Sequence, residues 1–282
     1  MTPPLDDADI AAYGALDTTF CVLSDQPDLL GFIDHLWAHA RTRRDPEHTI
    51  EIVSSAEGWI VAVDGVTTGP ACPTALVLAR FHWVVNTLAR AHPGDSVLLH
   101  AASVEIGGRG VVICGPSGAG KSTLALGLCE RGAGYLSDEI AAVRRGDISV
   151  GAYPKPLSLR PGSWPFATTL YPRLPAELVP FIADEWSLVM PVVRADVRAG
   201  LLVLLASGGA DAGDATPVPR ASALVELCEM AEDLAHAPSG SFGALADFVR
   251  SVEVLALTSA PTASSARTCS TSRSVSSESG WS

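Results

Sequence analysis

Gly115-Pro116-Ser117-Gly118-Ala119-Gly120-Lys121-Ser122-Thr123 decides how this chain folds and where its chemistry sits. The stretch fits G-x-x-x-x-G-K-[ST], the phosphate-binding loop pattern. Its glycines let the backbone wrap a phosphate chain, so that successive N–H groups face the oxygens. Lys121 supplies a positive charge for the β- and γ-phosphates of a nucleotide, and the Ser122 hydroxyl is placed for Mg²⁺. The apolar run 111–114 before the loop reads as a short buried strand. Residues 124–131 after it have helical periodicity, and Gly132 serves as a C-terminal stop. Strand, loop and helix come in the order a nucleotide site requires. A glycine-rich turn ending by chance in Lys-Ser would not need these flanks.

Six residues past Gly132 come Asp138 and Glu139, after the apolar pair Tyr135-Leu136. This reads as a second strand ending in two carboxylates beside the loop. Such an acidic residue holds Mg²⁺ directly or through water. Two in a row divide the labour: one orients the metal while the other takes a proton from an attacking hydroxyl. The bland alternative is a solvated turn. The short distance from Lys121 argues against a transporter-type ATPase, whose acidic strand follows a helical insert and a signature loop. Ser207-Gly208-Gly209 falls after the acidic pair and reads as an ordinary turn. Upstream, residues 96–106 read as one strand, Gly107-Gly108 as a turn and 110–114 as the returning strand, a hairpin feeding the loop. His100 lies in its first arm, either as a core or edge residue or as a functional group beside the phosphates.

Residues 153–162, Tyr-Pro-Lys-Pro-Leu-Ser-Leu-Arg-Pro-Gly, form the next conspicuous segment. Prolines force extended backbone there and hold Lys155 and Arg160 on a stiff stretch. Cations held this way could clamp a γ-phosphate as charge develops on it, or could be solvated charges of a surface loop. Arg194 and Arg198 are weaker candidates for a second anion contact.

The run 100–143, with His100, the loop 115–123, Arg131-Gly132 and Asp138-Glu139, resembles the catalytic core of the HPr kinase/phosphorylase family. It looks in particular like the shorter HPr-kinase-related branch found near lasso-peptide and other peptide-modification genes. It departs from the bacterial regulators in carrying Glu139 where they have Asp. Its loop ends Lys-Ser-Thr, and their long downstream phosphorolysis signature is not recognisable. The resemblance implies an α/β fold with the P-loop core of HPr kinase and the ATP-dependent phosphoenolpyruvate carboxykinases. It also implies an ATP- and Mg²⁺-dependent kinase acting on a serine hydroxyl of a peptide or small protein, such as a lasso precursor. The parent family's hexamers imply a homo-oligomer.

In that reading Gly115, Pro116, Ser117, Gly118, Ala119, Gly120, Lys121, Ser122 and Thr123 cradle the nucleotide. Ser122 and Glu139 hold Mg²⁺, with Asp138 adjoining the metal and drawing the proton from the acceptor. His100 positions the acceptor or the γ-phosphate. Lys155 and Arg160 stabilise the transferring group. A small-molecule kinase with the same core and a non-catalytic ATP sensor or assembly factor remain open as alternatives.

The chain has 282 residues, 48% of them hydrophobic, enough for a substantial core. Mean hydropathy is +0.28, yet no apolar run approaches the roughly 18 residues that span a bilayer. The opening residues lack a basic, apolar signal segment, so a cytoplasmic location is expected. Net charge is −12, which argues against a nucleic-acid surface. Six cysteines, at 21, 72, 114, 129, 228 and 269, show no C-x-x-C pair and no metal spacing, and read as free thiols. Cys114 and Cys129 flank the loop, where a thiol reagent could inhibit.

Three parts are expected. Residues 1–92 form a smaller N-terminal α+β portion, with a helix over 29–41 ending in the basic cluster 41–44. Strands over 49–53 and 59–63 follow, then a turn at Asp64-Gly65. A helix over 74–91 closes this portion, with Leu76, Leu78, Ala79, Trp83, Val84 and Leu88 in the core. Residues 93–257 form the kinase core, with a buried strand over 201–206, helices over 221–235 and 242–252 and a strand over 253–257. Residues 258–282, dominated by Ser and Thr, cannot bury enough surface to offset ordering entropy and are expected to be disordered.

Overall fold

Two segments that sequence reading passed over are strands, β1 (Ala12–Ala15) and β2 (Thr18–Ser24). The structure is a computed structural model that describes residues 11–170, 185–193, 195–207, 215–231 and 238–259. The first two strands pair with each other and are joined by β3 (Arg41–Thr42), β4 (His48–Ser55), β5 (Gly58–Val63) and β6 (Val66–Thr67). Together they make a six-stranded sheet in the order β3-β1-β2-β4-β5-β6. Helices α1 (Pro27–Leu36) and α2 (Val77–Ala91) contribute to the core of this part.

Both helices depart from expectation. α1 stops at Leu36 rather than running to 41, because the chain turns at Trp37 to seat that indole fully in the core. The basic cluster therefore lies at a strand edge, where Arg41 pairs with Asp34 and Arg44 with Glu47 at 3.0 Å. In α2 the buried face is Val77, Leu78, Phe81, His82, Val84, Val85, Asn86 and Ala89. Leu76 and Trp83, expected in the core, are 47% and 52% exposed, and Ala79, expected there too, is also exposed. Arg80, Thr87 and Arg90 mark the outer side of this amphipathic helix, and Trp83 falls among them despite its large apolar ring.

Phe20, Trp37, Phe81 and Tyr153 meet edge-to-face in this core, Trp37 lying 5.5 Å from Phe20 and 5.9 Å from Phe81. His82 is buried among them. Burial, and secondarily the Lys155 charge, pull its pKa down to about 3. The unfolded chain therefore binds a proton, between about pH 6.5 and 3, that the folded chain refuses. Stability is expected to fall by up to about 1.4 kcal/mol per pH unit as pH drops through this window. Urea melts at pH 7, 6 and 5 check this: His82→Leu should flatten the slope, and an unchanged slope would show that His82 is not its source.

A second, nine-stranded sheet follows. Its elements are β7 (Ser96–His100), β8 (Ala102–Ile106), β9 (Arg109–Cys114), α3 (Lys121–Cys129), β10 (Gly134–Ser137), β11 (Ile140–Arg144) and β12 (Ser149–Gly151). A separate pair, β13 (Leu157–Leu159) and β14 (Trp186–Leu188), flanks α4 (Trp164–Leu170) in sequence. The chain closes with β15 (Val197–Ser207), β16 (Ala215–Pro217), α5 (Arg220–Met230), α6 (Pro238–Ser251) and β17 (Glu253–Ser259). The main path is β10-β8-β9-β15-β12-β11-β7, and β17 also pairs with β15. β15 runs parallel to β9 and to β17.

The period of two divides the layers. Val111, Ile113, Val203 and Leu205 pack with Ala125 of α3 on one face. Val112, Cys114, Leu202 and Leu204 share the other face's core with α5 and α6. The same alternation sends Leu98, Ile140 and Ala142 into the aromatic core around α2, and Val97, Leu99, Ala141 and Val143 toward α5 and α6.

The single strand expected over 96–106 is two. It breaks at Ala101, where β7 pairs with β11 and β8 turns to pair with β9 and β10. Residues 232–235 of the expected helix, 260–282 of the tail expected over 258–282, Arg194, Gly208, Gly209 and Cys269 lie outside the described residues, while Thr258 and Ser259, expected in the tail, end β17. Among the described residues no helix is long and apolar enough to cross a membrane.

Candidate active site

The loop 115–120 leaves the end of β9 and runs into the first turn of α3, whose N-cap is Gly120. Gly118 and Gly120 have φ of +81° and +98°, and beyond the adjoining residues no heavy atom lies within 4 Å of where a β-carbon would stand on either. Side chains there would project into that open space, and at the helix start backbone N–H groups are left for an anion. This cradle fits a nucleotide's phosphates. Gly115 answers a different demand. At φ +151° its added β-carbon would meet the Leu205 carbonyl oxygen at 2.7 Å and the Leu205 β-carbon at 2.9 Å. Gly115→Ala should therefore push the loop off β15, costing about 1–3 kcal/mol of stability and weakening binding of a fluorescent ATP analogue. Wild-type melting and affinity in this variant would refute the close approach.

Lys121 is buried, and its Nζ donates to the Gly115 carbonyl at 2.7 Å and the Pro116 carbonyl at 3.2 Å. Burial draws its pKa below the ordinary lysine value, partly opposed by Cys114 and Glu139. Arg160 reaches over the loop, its Nη1 donating to Ser117 Oγ at 3.4 Å. Thr123 Oγ1 and Ser163 Oγ, 2.6 Å apart, fasten the start of α3 to the turn after Arg160.

Asp138 and Glu139 sit where β10 gives way to β11. β10 is separated from β9 by β8, so the acidic strand is not the loop strand's immediate neighbour. The structure brings Asp138, rather than Glu139, to Ser122, whose Oγ donates to Asp138 Oδ2 at 3.2 Å. The same carboxylate accepts from the Ser158 backbone N–H at 2.8 Å and the Tyr135 hydroxyl at 2.9 Å. Lys155 Nζ stands 3.4 Å from its Oδ1.

Lys155 is thus buried beneath Asp138 instead of facing the loop mouth from a proline-stiffened surface. Burial lowers its pKa, but the charges of Asp138, Glu139 and Glu185 outweigh this and leave it above the ordinary value. Burial, then Asp138, raises Tyr135 well above the usual phenol, so it stays a donor.

Glu139 faces another group. Its Oε1 lies 3.6 Å from Arg90 Nη2 and 3.7 Å from His100 Nδ1, the latter an ion pair only when the ring is protonated. Register fixes this meeting, because His100 stands opposite Ile140 in the β7–β11 ladder. Arg90, Tyr135 and Ser158 are the participants that sequence reading missed. In sequence Tyr135 reads only as an apolar strand residue, and nothing near Arg90 points to the loop. Arg198, in contrast, lies on β15 six residues before Leu204, which is the partner of Cys114 at the loop end of β9. That is about 20 Å away along the strand. Cys114 is buried, with its thiol pushed up by burial to about 12, and Cys129 likewise to about 11. Neither supplies thiolate for a reagent near neutral pH.

Strand, phosphate loop, helix and a serine–carboxylate contact define a phosphate-loop α/β protein. The chain is similar to HPr kinase/phosphorylases. Over 166 residues it is 28% identical to the one from Aromatoleum aromaticum, covering 47% of this chain and 52% of that one. Over 134 residues it is 31% identical to the one from Azoarcus sp., covering 42% of each. A 46-residue stretch is 46% identical to the one from Chlorobium phaeovibrioides, covering 16% of this chain and 14% of that one. The chain spans about half the length of the curated relatives it matches first. No family model matches it. The solved Hpr(Ser) kinase/phosphatase from Coxiella burnetii aligns with 12% identity and a TM-score of 0.26, over 62% of this chain and 91% of that one.

Proposed function

We propose that the chain is an ATP-dependent phosphotransferase of the HPr-kinase kind. It would transfer the γ-phosphate to a serine hydroxyl of a peptide or small protein, a lasso precursor being one candidate. The observation that carries this is the 3.2 Å contact between Ser122 of the phosphate loop and the buried carboxylate of Asp138. It sets a metal-binding hydroxyl against a fixed acidic group, as phosphoryl transfer requires. The names of the curated relatives support the same chemistry.

In this reading the loop 115–123 holds the phosphates and Lys121 contacts them. Ser122 and Asp138 hold Mg²⁺, which when bound neutralises charge on the phosphate oxygens. Asp138 is engaged by Tyr135, Lys155, Ser158 and Ser122, and serves as the anchored carboxylate. Glu139, only partly buried and beside His100, is turned to the acceptor side and takes its proton. Arg160, over the loop at Ser117, stabilises the transferring group.

The test is transfer from γ-labelled ATP with Mg²⁺ to serine-bearing precursor peptides and to HPr. Wild type is compared with Asp138→Asn. Label on a peptide serine, lost in the variant, is expected. Tight ATP binding without transfer to any acceptor, unaffected by Asp138→Asn, would overturn the reading in favour of a nucleotide sensor.

A further inference from the structure

Helix α2 presents two faces. One is core. The other is the line Arg80, Trp83, Thr87, Arg90, spaced by three, four and three residues and continued by Leu76 at the helix's N-cap, which places them in one row along the axis. Leu76 and Trp83 are 47% and 52% exposed. Thr87 is also exposed, while Arg80 and Arg90 are half-buried. A lone exposed apolar residue needs no explanation. This row differs because it leads into the candidate active site: its last member, Arg90, lies 3.6 Å from Glu139. Its charge is also distinctive. The chain carries a net charge of −12, yet α2 contains no Asp or Glu, and both ionisable members of the row are arginines.

We infer that this row is the docking surface for the acceptor, an acidic peptide segment with a bulky apolar side chain that lies along α2 and delivers its hydroxyl to Glu139. The inference rests on the kinase reading and deepens it. Seven residues of helix put Trp83 about 10 Å from Arg90. An extended peptide covers that span in about three residues. The favoured acceptor therefore carries its apolar side chain about three to four positions from the serine. Arg80, one turn before Trp83, selects an acidic residue next to the apolar side chain, while Arg90 is engaged with Glu139 at the serine end. An indole that is half-exposed before binding and desolvated by the partner is the kind of anchor that dominates interface energetics.

The probe is an array of fluorescein-labelled dodecapeptides with a central serine, in which one leucine is walked through every position and the remainder is Glu-rich or Lys-rich. Anisotropy with the full chain measures binding, and γ-labelled ATP separately measures transfer. Binding is expected to peak with leucine three or four positions from serine in the Glu-rich set. Trp83→Ala should weaken it about 5- to 50-fold, Trp83→Phe should restore most of it, and Arg80→Glu should reverse the charge preference. In transfer, Trp83→Ala should raise the acceptor KM and leave kcat and ATP affinity unchanged.

Equal binding by wild type and Trp83→Ala, or no array peptide bound at 1 mM, overturns the inference. A concentration-dependent dimer in sizing experiments, abolished by Trp83→Ala, would show a second copy as the occupant and also overturn it. The two readings fail separately. Transfer that is indifferent to Trp83 sinks the docking surface alone. Trp83-dependent peptide binding without transfer sinks the kinase reading and leaves the surface standing.

Discussion

Lys121→Ala is expected to lower phosphate transfer by about 10²–10³-fold, the cost of removing one preorganised donor from a developing phosphoryl charge. The ammonium sits 2.7 Å from the Gly115 carbonyl and 3.2 Å from that of Pro116, so the loop holds it at the mouth of the cradle. It is only 7% exposed. The side chain has therefore already lost most of its water, and its attraction for phosphate is little screened. Alanine removes that charge and leaves the glycine backbone intact. Affinity for a fluorescent ATP analogue should drop along with transfer, while the melting temperature stays close to wild type. Lys121→Arg should not rescue, because a planar guanidinium cannot occupy the ammonium's place between two carbonyls. Rapid-mix quench with labelled ATP measures the transfer step. Wild-type transfer in Lys121→Ala would remove the loop from the reaction.

What was legible from sequence was whatever local chemistry dictates. The glycine spacing, the apolar run 111–114 and Asp138-Glu139 located the strand, loop, helix and acidic junction without tertiary information. The two faces of β9 and β15 also follow from alternation. What was hidden depends on register and on long-range packing. Glu139 meets His100 because β7 and β11 pair with Ile140 opposite His100, and no local signal specifies that register. Lys155 looked like a surface cation between prolines, yet the chain folds it under Asp138. Trp83 looked like core because it is large and apolar, although it falls on the same side of α2 as Arg80, Thr87 and Arg90, opposite the buried face. β1 and β2 escaped notice because Ala12–Ala15 is short and Thr18–Ser24 lies among small and polar residues.

The largest effect on stability is expected at the buried ion pair. Lys155→Met should destabilise the fold by about 3–5 kcal/mol, because it strands a charged Asp138 where water cannot reach it. The two side chains are 3% and 1% exposed and stand 3.4 Å apart. Tyr135, Ser158 and Ser122 still donate to the carboxylate in the variant, but none brings a compensating charge. Asp138→Asn added to Lys155→Met removes the second charge, and most of the lost stability should return.

The sign of the pH dependence follows from the raised pKa of Lys155. Its stabilisation is fully present below the unfolded lysine value of about 10.4 and is lost as pH rises through the folded value. The gap between wild type and Lys155→Met should thus be constant from about pH 6 to 9 and close only in strong alkali. Urea unfolding of the four proteins of this cycle measures the coupling. A cost below about 1 kcal/mol for Lys155→Met, or no recovery in the double variant, would mean that the pair does not carry the charge balance assigned to it. The double variant also separates fold from chemistry, since it should fold and bind nucleotide yet transfer no phosphate, Asp138 having lost the carboxylate that faces Ser122.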